Sequence, residues 1–177
     1  ELTDFMPMPN SEDDAGTVYR KIEVLKGAMR VKLTFAPKFD YARAETRLER
    51  HPAGLVASSA DGQALALYTG EGMDIATDGD RAEGWLELSE GQVRWMKCRF
   101  GTSEVPACDG DEAEQMLEDT VAFWHTWLNT QETGHELDLG PNREMIERSA
   151  LVLKLLYFQP SGAIAAAATS SLPEEIG

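Results

Sequence analysis

The chain has 177 residues, of which 42% are hydrophobic and 27% are charged, and its formal net charge is −15. The negative charge argues against nucleic acid as a partner, because such binding depends on lysine and arginine side chains that neutralise phosphates. It argues equally against an anionic membrane surface, and the sequence lacks the run of roughly 18 apolar residues that a membrane span needs. The composition predicts a soluble globular protein with a neutral or cationic partner.

The sequence has two cysteines, Cys98 and Cys108, which are too few for a disulfide framework or a cysteine-rich metal site. Cys98 lies in a predicted strand, where a free cysteine behaves as a small hydrophobic residue. The spacing leaves a Cys98–Cys108 bridge open, but the default expectation is two reduced thiols in the cytoplasm. The sequence predicts no metal ion and no other cofactor.

The chain begins with a polar, proline-containing stretch over residues 1–16, which is predicted to be a lead-in. From Thr17 the hydrophobic period becomes two, as in a strand with one buried face. Two strands joined by a hairpin turn at Lys26-Gly27 are predicted, and Pro37 ends the second strand. The apolar residues of these two strands fall at alternate positions: Val18, Ile22, Val24, Met29, Val31, Leu33 and Phe35.

Short strands continue along the next sixty residues, and most are separated by glycine-containing turns. Asp61-Gly62, flanked by apolar residues, is the kind of dipeptide that favours a hairpin. Strands that recur at such short intervals without an intervening helix are typical of an antiparallel β-sandwich, here predicted over residues 17–108. The further predicted strands are Gly54–Ser59, Gln63–Tyr68, Met73–Thr77, Gly84–Leu88 and Gln92–Phe100.

A helix is predicted from Asp111 to Thr130, because apolar residues recur there at helical spacing and acidic residues open it. Its aromatic residues are interpreted as packing anchors rather than as sugar-stacking groups. With the loop that follows, this helix forms a predicted linker over residues 109–141. The apolar residues of its predicted face and flank are Leu117, Val121, Phe123, Trp124, Trp127 and Leu128.

The last segment, residues 142–177, is predicted to open with a helix over residues 143–158. Pro141 suits the start of a helix, and Pro160 and Gly162 end it. Its apolar residues cover more than one stripe, and a helix of that kind is usually buried between other helices. We therefore expect helix 143–158 to need a partner, either the remainder of a larger helical domain, its own sandwich, or a second copy of the chain.

Four groups of residues, taken in order along the chain, resemble bacterial glycoside hydrolase family 15, which contains glucoamylase-like and trehalase-like enzymes. They are Thr3–Pro7, Pro37–Arg43, Phe123–Trp127, and the tail formed by Arg148–Leu156 with Gly162–Glu174. The resemblance implies an N-terminal β-sandwich, a linker helix, and the first helix of an (α/α)6 catalytic barrel. An Arg-Asn-Trp-Asp-Tyr-Arg-like run that grips the sugar would be expected just beyond Gly177.

The implied activity is hydrolysis of an α-glucosidic bond with inversion, for which one carboxylic acid and one carboxylate must stand about 6.5–9.5 Å apart. In the family both glutamates come from barrel loops, and no residue of this chain matches either motif. We therefore expect a non-catalytic portion that braces the barrel and carries no catalytic, substrate-binding or metal-binding residue. Its expected partners are the rest of the barrel and, in the parent enzyme, neutral glucosides, with the choice between trehalose and α-glucans left open.

A different class of function remains as an alternative, namely a stand-alone carbohydrate-binding or protein-interaction sandwich. Trp85 and Trp95 lie in predicted strands and could form a stacking platform. The mixture of aromatic and charged residues in Phe39–Arg43 could also contact a sugar. Our preferred interpretation of that run is a packed corner in which Asp40 and Arg43 satisfy each other.

Other polar groups are interpreted as solvated or structural. The acidic pairs Glu71/Asp74 and Asp78/Asp80 lie in or beside glycine-rich turns, and the loop Ser171–Glu174 is interpreted as scaffold. The three histidines, His51, His125 and His135, show no HExxH-like spacing. No G-x-S-x-G, GxGxxG or P-loop motif indicates a serine hydrolase or a nucleotide-binding protein.

Overall fold

The computed structural model describes residues 1–8, 15–130, 140–158 and 161–167. The chain divides into two compact units, Glu1–Thr120 and Val121–Gly177. The strands and helices of the described residues are β1 (Leu2–Phe5), β2 (Thr17–Glu23), β3 (Ala28–Phe35), β4 (Thr46–His51), β5 (Gly54–Ser59), β6 (Ala64–Tyr68), β7 (Asp74–Asp78), β8 (Arg81–Ser89), β9 (Val93–Phe100), α1 (Gly110–Thr130), α2 (Arg143–Leu156), β10 (Tyr157–Phe158) and β11 (Ala163–Ile164).

The first unit is built from two antiparallel sheets, which confirms the predicted mainly-β sandwich followed by helices. One sheet has six strands in the order β1-β2-β9-β6-β5-β4, and the other has three in the order β3-β8-β7. Asp61-Gly62 joins β5 to β6, and Gly79 lies between β7 and β8, so both turns close hairpins as predicted. The small pair β10–β11 lies in the second unit.

The prediction of a hairpin turn at Lys26-Gly27 is wrong, because this turn carries the chain from one sheet to the other. β2 pairs with β1 and β9, whereas β3 pairs with β8. Val24 continues the ladder beside β9, since its N–H donates to the carbonyl of Gln92. Gly27 then turns the chain with φ of 78°, a left-handed conformation that glycine adopts without steric cost.

The main core fills the space between the two sheets. Leu55 and Leu67 of the larger sheet pack with Phe35 and Ile75 of the smaller one. A second group, in which Ile22 and Met96 meet Leu88, continues the same layer. Inward-facing residues of both sheets thus exclude water together, as in other sandwiches.

The six-stranded sheet is also covered on its other face, by the first turns of α1. Tyr19 and Trp95 are 3% and 8% exposed and pack with Ala113 of that helix. The Lys21 ammonium, largely buried, lies 2.7 Å from the carboxylate of Glu114, and this contact raises the pKa of Lys21. The predicted inward face of β2 is therefore incomplete, because Val18 is exposed whereas Tyr19, on the opposite face, is buried.

Helix α1 begins where the sequence predicts, and its start is capped. The Asp109 carboxylate accepts hydrogen bonds from the N–H groups of Asp111 and Glu112, at 2.9 and 3.1 Å. These bonds satisfy donors that have no partner within the first helical turn. The cap fixes the point at which the helix begins, after the connection that follows β9.

The predicted polar lead-in over residues 1–16 contains a strand. Leu2–Phe5 form β1 at the edge of the larger sheet, with Asp4 directly opposite Arg20. The Arg20 guanidinium holds both carboxylate oxygens of Asp4, at 2.7 and 2.6 Å, and these hydrogen bonds lower the pKa of Asp4. Phe5 stacks on the Tyr19 ring with centroids 5.3 Å apart, so one side chain of β1 reaches the buried layer beneath α1.

Helix α2 ends at Leu156, two residues before the predicted boundary, and Tyr157 enters β10. The expectation that this helix is buried is not met, because none of its residues is buried. Several large apolar side chains of α2 are instead exposed: Met145, Ile146, Val152, Leu153 and Leu155. No helix of the described part of the chain combines the length and the apolar character needed to cross a membrane.

One glycine of the larger sheet is required by close backbone approach rather than by a turn. A Cβ atom on Gly54 would lie 1.9 Å from the carbonyl oxygen of Leu67. We predict that Gly54→Ala lowers the free energy of unfolding by at least about 2 kcal/mol, because the β5–β6 ladder must shift to admit the methyl group. Urea unfolding followed by circular dichroism measures the change.

Gly84→Ala is the matched control for this prediction. Its added methyl group would first meet side-chain atoms, Met73 Sδ at 3.0 Å and Ile75 Cγ1 at 3.1 Å, and these can move. We expect a clearly smaller loss than for Gly54→Ala. Equal losses in the two variants would show that backbone approach at Gly54 is not the constraint.

Candidate functional site

The connection between β3 and β4 contains a left-handed turn, defined here as Phe39–Ala42. Asp40, Tyr41 and Ala42 have φ of 47°, 56° and 66°. They are the only non-glycine residues with positive φ in the described part of the chain. Each such residue costs roughly 1–2 kcal/mol relative to a right-handed conformation, so the turn persists only because its surroundings hold it.

Five side-chain contacts hold the left-handed turn and the residues beside it in place. Phe39, 6% exposed, is buried in the core between the sheets. The Arg43 guanidinium lies 2.5 Å from the Asp40 carboxylate and also donates to the Asp40 carbonyl oxygen at 3.2 Å. Just outside the turn, the Thr46 hydroxyl donates to the carbonyl of Pro37 at 3.1 Å. Lys38 pairs with Asp80 of the β7–β8 hairpin.

The predicted packed corner is thus present in part. Asp40 and Arg43 satisfy each other and Phe39 is buried, as the sequence indicates. Tyr41, however, is 75% exposed, and the Arg43 guanidinium lies 5.8 Å from its ring centroid. The structure therefore uses a buried aromatic residue and an ion pair to present a second aromatic residue to solvent.

An open cleft of about 620 Å³ lies beside the turn. The Lys38 ammonium, hydrogen-bonded to Asp80, lowers the pKa of that carboxyl at one wall. Glu45 and Arg47 are exposed in the same cleft and carry no ion pair with any described residue. The lining residues are Lys38, Ala42, Arg43, Ala44, Glu45, Thr46, Arg47, Leu48, Gly79 and Asp80.

The two tryptophans considered for a stacking platform lie in different environments. Trp95 is 8% exposed beneath α1 and presents no platform to solvent. Trp85 is 45% exposed on the smaller sheet, but the Arg30 guanidinium lies 4.3 Å from its ring centroid and Lys32 lies at 5.5 Å. The Trp85 ring is therefore covered by a cation at closer range than the Tyr41 ring, whose centroid lies 5.8 Å from the Arg43 guanidinium.

The aromatic residues of α1 also contact one another. Trp124 meets Phe123 and Trp127 edge to face, with centroids 5.4 and 6.2 Å away. All three are half-buried. This arrangement is consistent with the interpretation of these residues as packing anchors.

The remaining groups considered from the sequence do not converge on a reaction centre. Within residues 1–8, 15–130, 140–158 and 161–167, no cluster of three or more His, Cys, Asp or Glu side chains could hold a metal ion. Asp74 and Asp78 are exposed. His135 and the loop Ser171–Glu174 lie outside the described residues.

Both cysteines are free, so the bridge that their spacing left open is not formed. Burial raises the pKa of the Cys98 thiol. Burial, with smaller effects from neighbouring charges, raises the pKa of Cys108 to about 11. A thiol with so high a pKa is almost wholly protonated at neutral pH and is a poor nucleophile.

Comparison with known proteins identifies a family and relatives over most of the chain. A family model described as "Trehalase-like, N-terminal" matches residues 1–124. The trehalase of Thermoplasma volcanium is 25% identical over 177 residues, which cover 99% of this chain and 27% of that protein. The trehalase of Thermoplasma acidophilum is 26% identical, covering 99% and 29%. That of Mycobacterium tuberculosis is 28% identical, covering 94% and 24%. The chain spans about a quarter of the length of these relatives, from 24% to 29%.

The left-handed turn leads to a prediction about stability. We predict that Ala42→Gly raises the free energy of unfolding by about 1 kcal/mol, because glycine adopts positive φ without a Cβ clash. Ala76→Gly, at an exposed strand position of β7, is the control and should lower it by roughly 0.5–1 kcal/mol. Chemical denaturation measures both. Destabilisation by Ala42→Gly as large as that by Ala76→Gly would contradict a left-handed backbone at residue 42.

Proposed function

The chain belongs to the trehalase-like N-terminal family, and from this premise we propose that it is the non-catalytic β-sandwich portion of an inverting α-glucosidase of glycoside hydrolase family 15. Its role is to brace the catalytic barrel of a trehalase-like or glucoamylase-like enzyme. The single observation that carries the proposal is the family match over residues 1–124. The alignment with the trehalase of Thermoplasma volcanium covers 99% of this chain.

The carboxyl groups of the described residues bear on the non-catalytic part of the proposal. An inverting glycosidase needs an acid with a raised pKa facing a second carboxylate across a gap wide enough for water. The carboxyls with shifted pKa values here, Asp4, Asp61, Asp80 and Glu83, are all shifted downwards by hydrogen bonds or ion pairs. Groups held ionised in this way cannot serve as the proton donor at neutral pH.

The proposed location is the cytoplasm. Its support is that Cys98 and Cys108 lie within one compact sandwich and remain unbridged, as expected in a reducing compartment. The proposed partners are the remainder of the barrel and, for the whole enzyme, neutral glucosides. The strongly acidic chain is poorly suited to nucleic acid or an anionic membrane.

Activity assays test the proposal directly. We predict that the 177-residue chain releases no glucose from trehalose or maltose, because every described carboxyl with a shifted pKa is shifted downwards, away from a proton donor's range. A version extended through the rest of the encoding frame should hydrolyse at least one of the two sugars with inversion, followed by NMR of the anomeric proton. Turnover by the 177-residue chain, or no turnover of any α-glucoside by the extended version, would contradict the proposal.

Helix α2 is the proposed contact surface for the barrel and, in its absence, for a second copy. Leu153 and Leu155 are 56% and 66% exposed, and Phe158 and Ile164 of the β10–β11 pair are each 60% exposed. Exposed apolar groups of this size are uncommon on a surface without a partner. Each one buried in an interface would contribute about 1.5–3 kcal/mol from removal of apolar area from water.

We predict that the 177-residue chain self-associates through α2. Sedimentation velocity over a range of concentrations should show dimer formation. Leu153→Glu or Leu155→Glu should weaken it at least about tenfold, because a charge replaces buried apolar area. Leu25→Glu is the matched control, since Leu25 is 63% exposed in the β2–β3 connection and should change nothing. A strict monomer with rapid hydrogen exchange across α2 would contradict the prediction.

A further inference from the structure

The strain in the left-handed turn is not explained by the path of the chain. Other connections between strands reverse direction with glycines at positive φ, among them Gly27, Gly70 and Gly91. Among the described residues, only the β3–β4 connection places three consecutive side chains in that conformation. Strain of this kind, maintained by several independent contacts, is concentrated at binding and catalytic sites, where it fixes the direction of a side chain.

The strained backbone sets the direction of the Cα–Cβ bond of Tyr41. Phe39 anchors one end of the turn in the core, and the Asp40–Arg43 ion pair closes the other. The tyrosine between them contributes nothing to the core, since it is 75% exposed. An aromatic ring held outwards by a rigid backbone loses little conformational entropy on binding, which is how tyrosine serves in many binding sites.

The cleft next to Tyr41 has the chemistry for a neutral polyhydroxylated ligand. Ala42 and Arg43, the two residues after Tyr41, line the cleft, whereas Tyr41 precedes them in the chain and is not itself a lining residue. The cleft volume of about 620 Å³ is within the range of small-molecule sites. Glu45 and Arg47 add one acceptor group and one donor group that make no ion pair with the described residues.

The charges of the cleft are nearly balanced. Lys38 is neutralised by Asp80 and Arg43 by Asp40, which leaves Glu45 and Arg47 with opposite signs. A charged ligand would therefore gain little net attraction there. A pyranose ring, by contrast, offers C–H groups to an aromatic face and hydroxyls to carboxylate and guanidinium groups.

We propose that the left-handed turn and the adjoining cleft form a glucoside-binding subsite, in which the Tyr41 ring packs on a glucose unit while Glu45 and Arg47 bind its hydroxyls. The choice of a glucoside as the ligand rests on the proposed function. The subsite lies on the sandwich itself and contacts sugar without taking part in bond cleavage. In the whole enzyme it would add affinity for substrate rather than change the chemical step.

The test is a titration of the 177-residue chain with trehalose and with maltose, followed by ¹H–¹⁵N NMR. We expect saturable shifts confined to residues 38–48 and 79–80. Tyr41→Phe should bind within about twofold of the unaltered chain, because the ring is retained. Tyr41→Ala should bind about tenfold more weakly, which corresponds to the energy of one aromatic contact. Glu45→Gln and Arg47→Gln should each weaken binding severalfold.

The controls distinguish binding at the subsite from binding elsewhere on the chain. Tyr157→Ala removes an exposed tyrosine of the second unit and should leave binding unchanged, and glycerol should produce no saturable shift. Retained peak dispersion in Tyr41→Ala shows that the fold is intact. No saturable shift with either glucoside, shifts centred on Trp85, or equal binding by Tyr41→Ala would overturn the subsite. Hydrolysis by the extended version would in that case still support the proposed function, so the two failures are distinguishable.

Discussion

The structure of the first unit depends on the burial of the β2–β9 pair on both of its faces. Adjacent residues of β9 show this most directly, since Trp95 packs beneath α1 while Met96 packs between the sheets. Strand β2 does the same with Tyr19 and Ile22. Because side chains alternate across a strand, these two strands join the sandwich core to the helix layer. The Lys21–Glu114 ion pair then fixes the helix along the strand.

This double burial accounts for where sequence reasoning succeeds and where it fails. The clean alternation of Met29 to Phe35 predicts β3 correctly, because that strand has one inward face and one exposed face. The same alternating pattern predicts that Val18 is buried and does not predict that Tyr19 is buried, because it assumes that only one face of β2 is covered. β4 is missed for a related reason, because Leu48 is its only large apolar residue among charged neighbours.

Turn residues reveal that the chain bends, but not which strand it joins next. Gly27 and Gly62 both have positive φ, yet Gly62 closes a hairpin and Gly27 transfers the chain between sheets. The difference lies in long-range pairing, which no local pattern contains. For the candidate site, the sequence identifies the Asp40–Arg43 pair. The sequence does not indicate the left-handed backbone, because positive φ is usually predicted from glycine and none of Asp40, Tyr41 and Ala42 is a glycine.

The left-handed turn and helix α2 share one property that sets them apart from the sandwich. Each is locally unfavourable: the turn through three strained residues, and the helix through apolar side chains left in water. Phe39 of the turn belongs to the core between the sheets, but the three strained residues and the exposed apolar residues of α2 do not. Local costs that bring no gain to the core are best accounted for by binding. In the proposed function, binding a sugar at the turn and a protein surface at α2 would offset both costs.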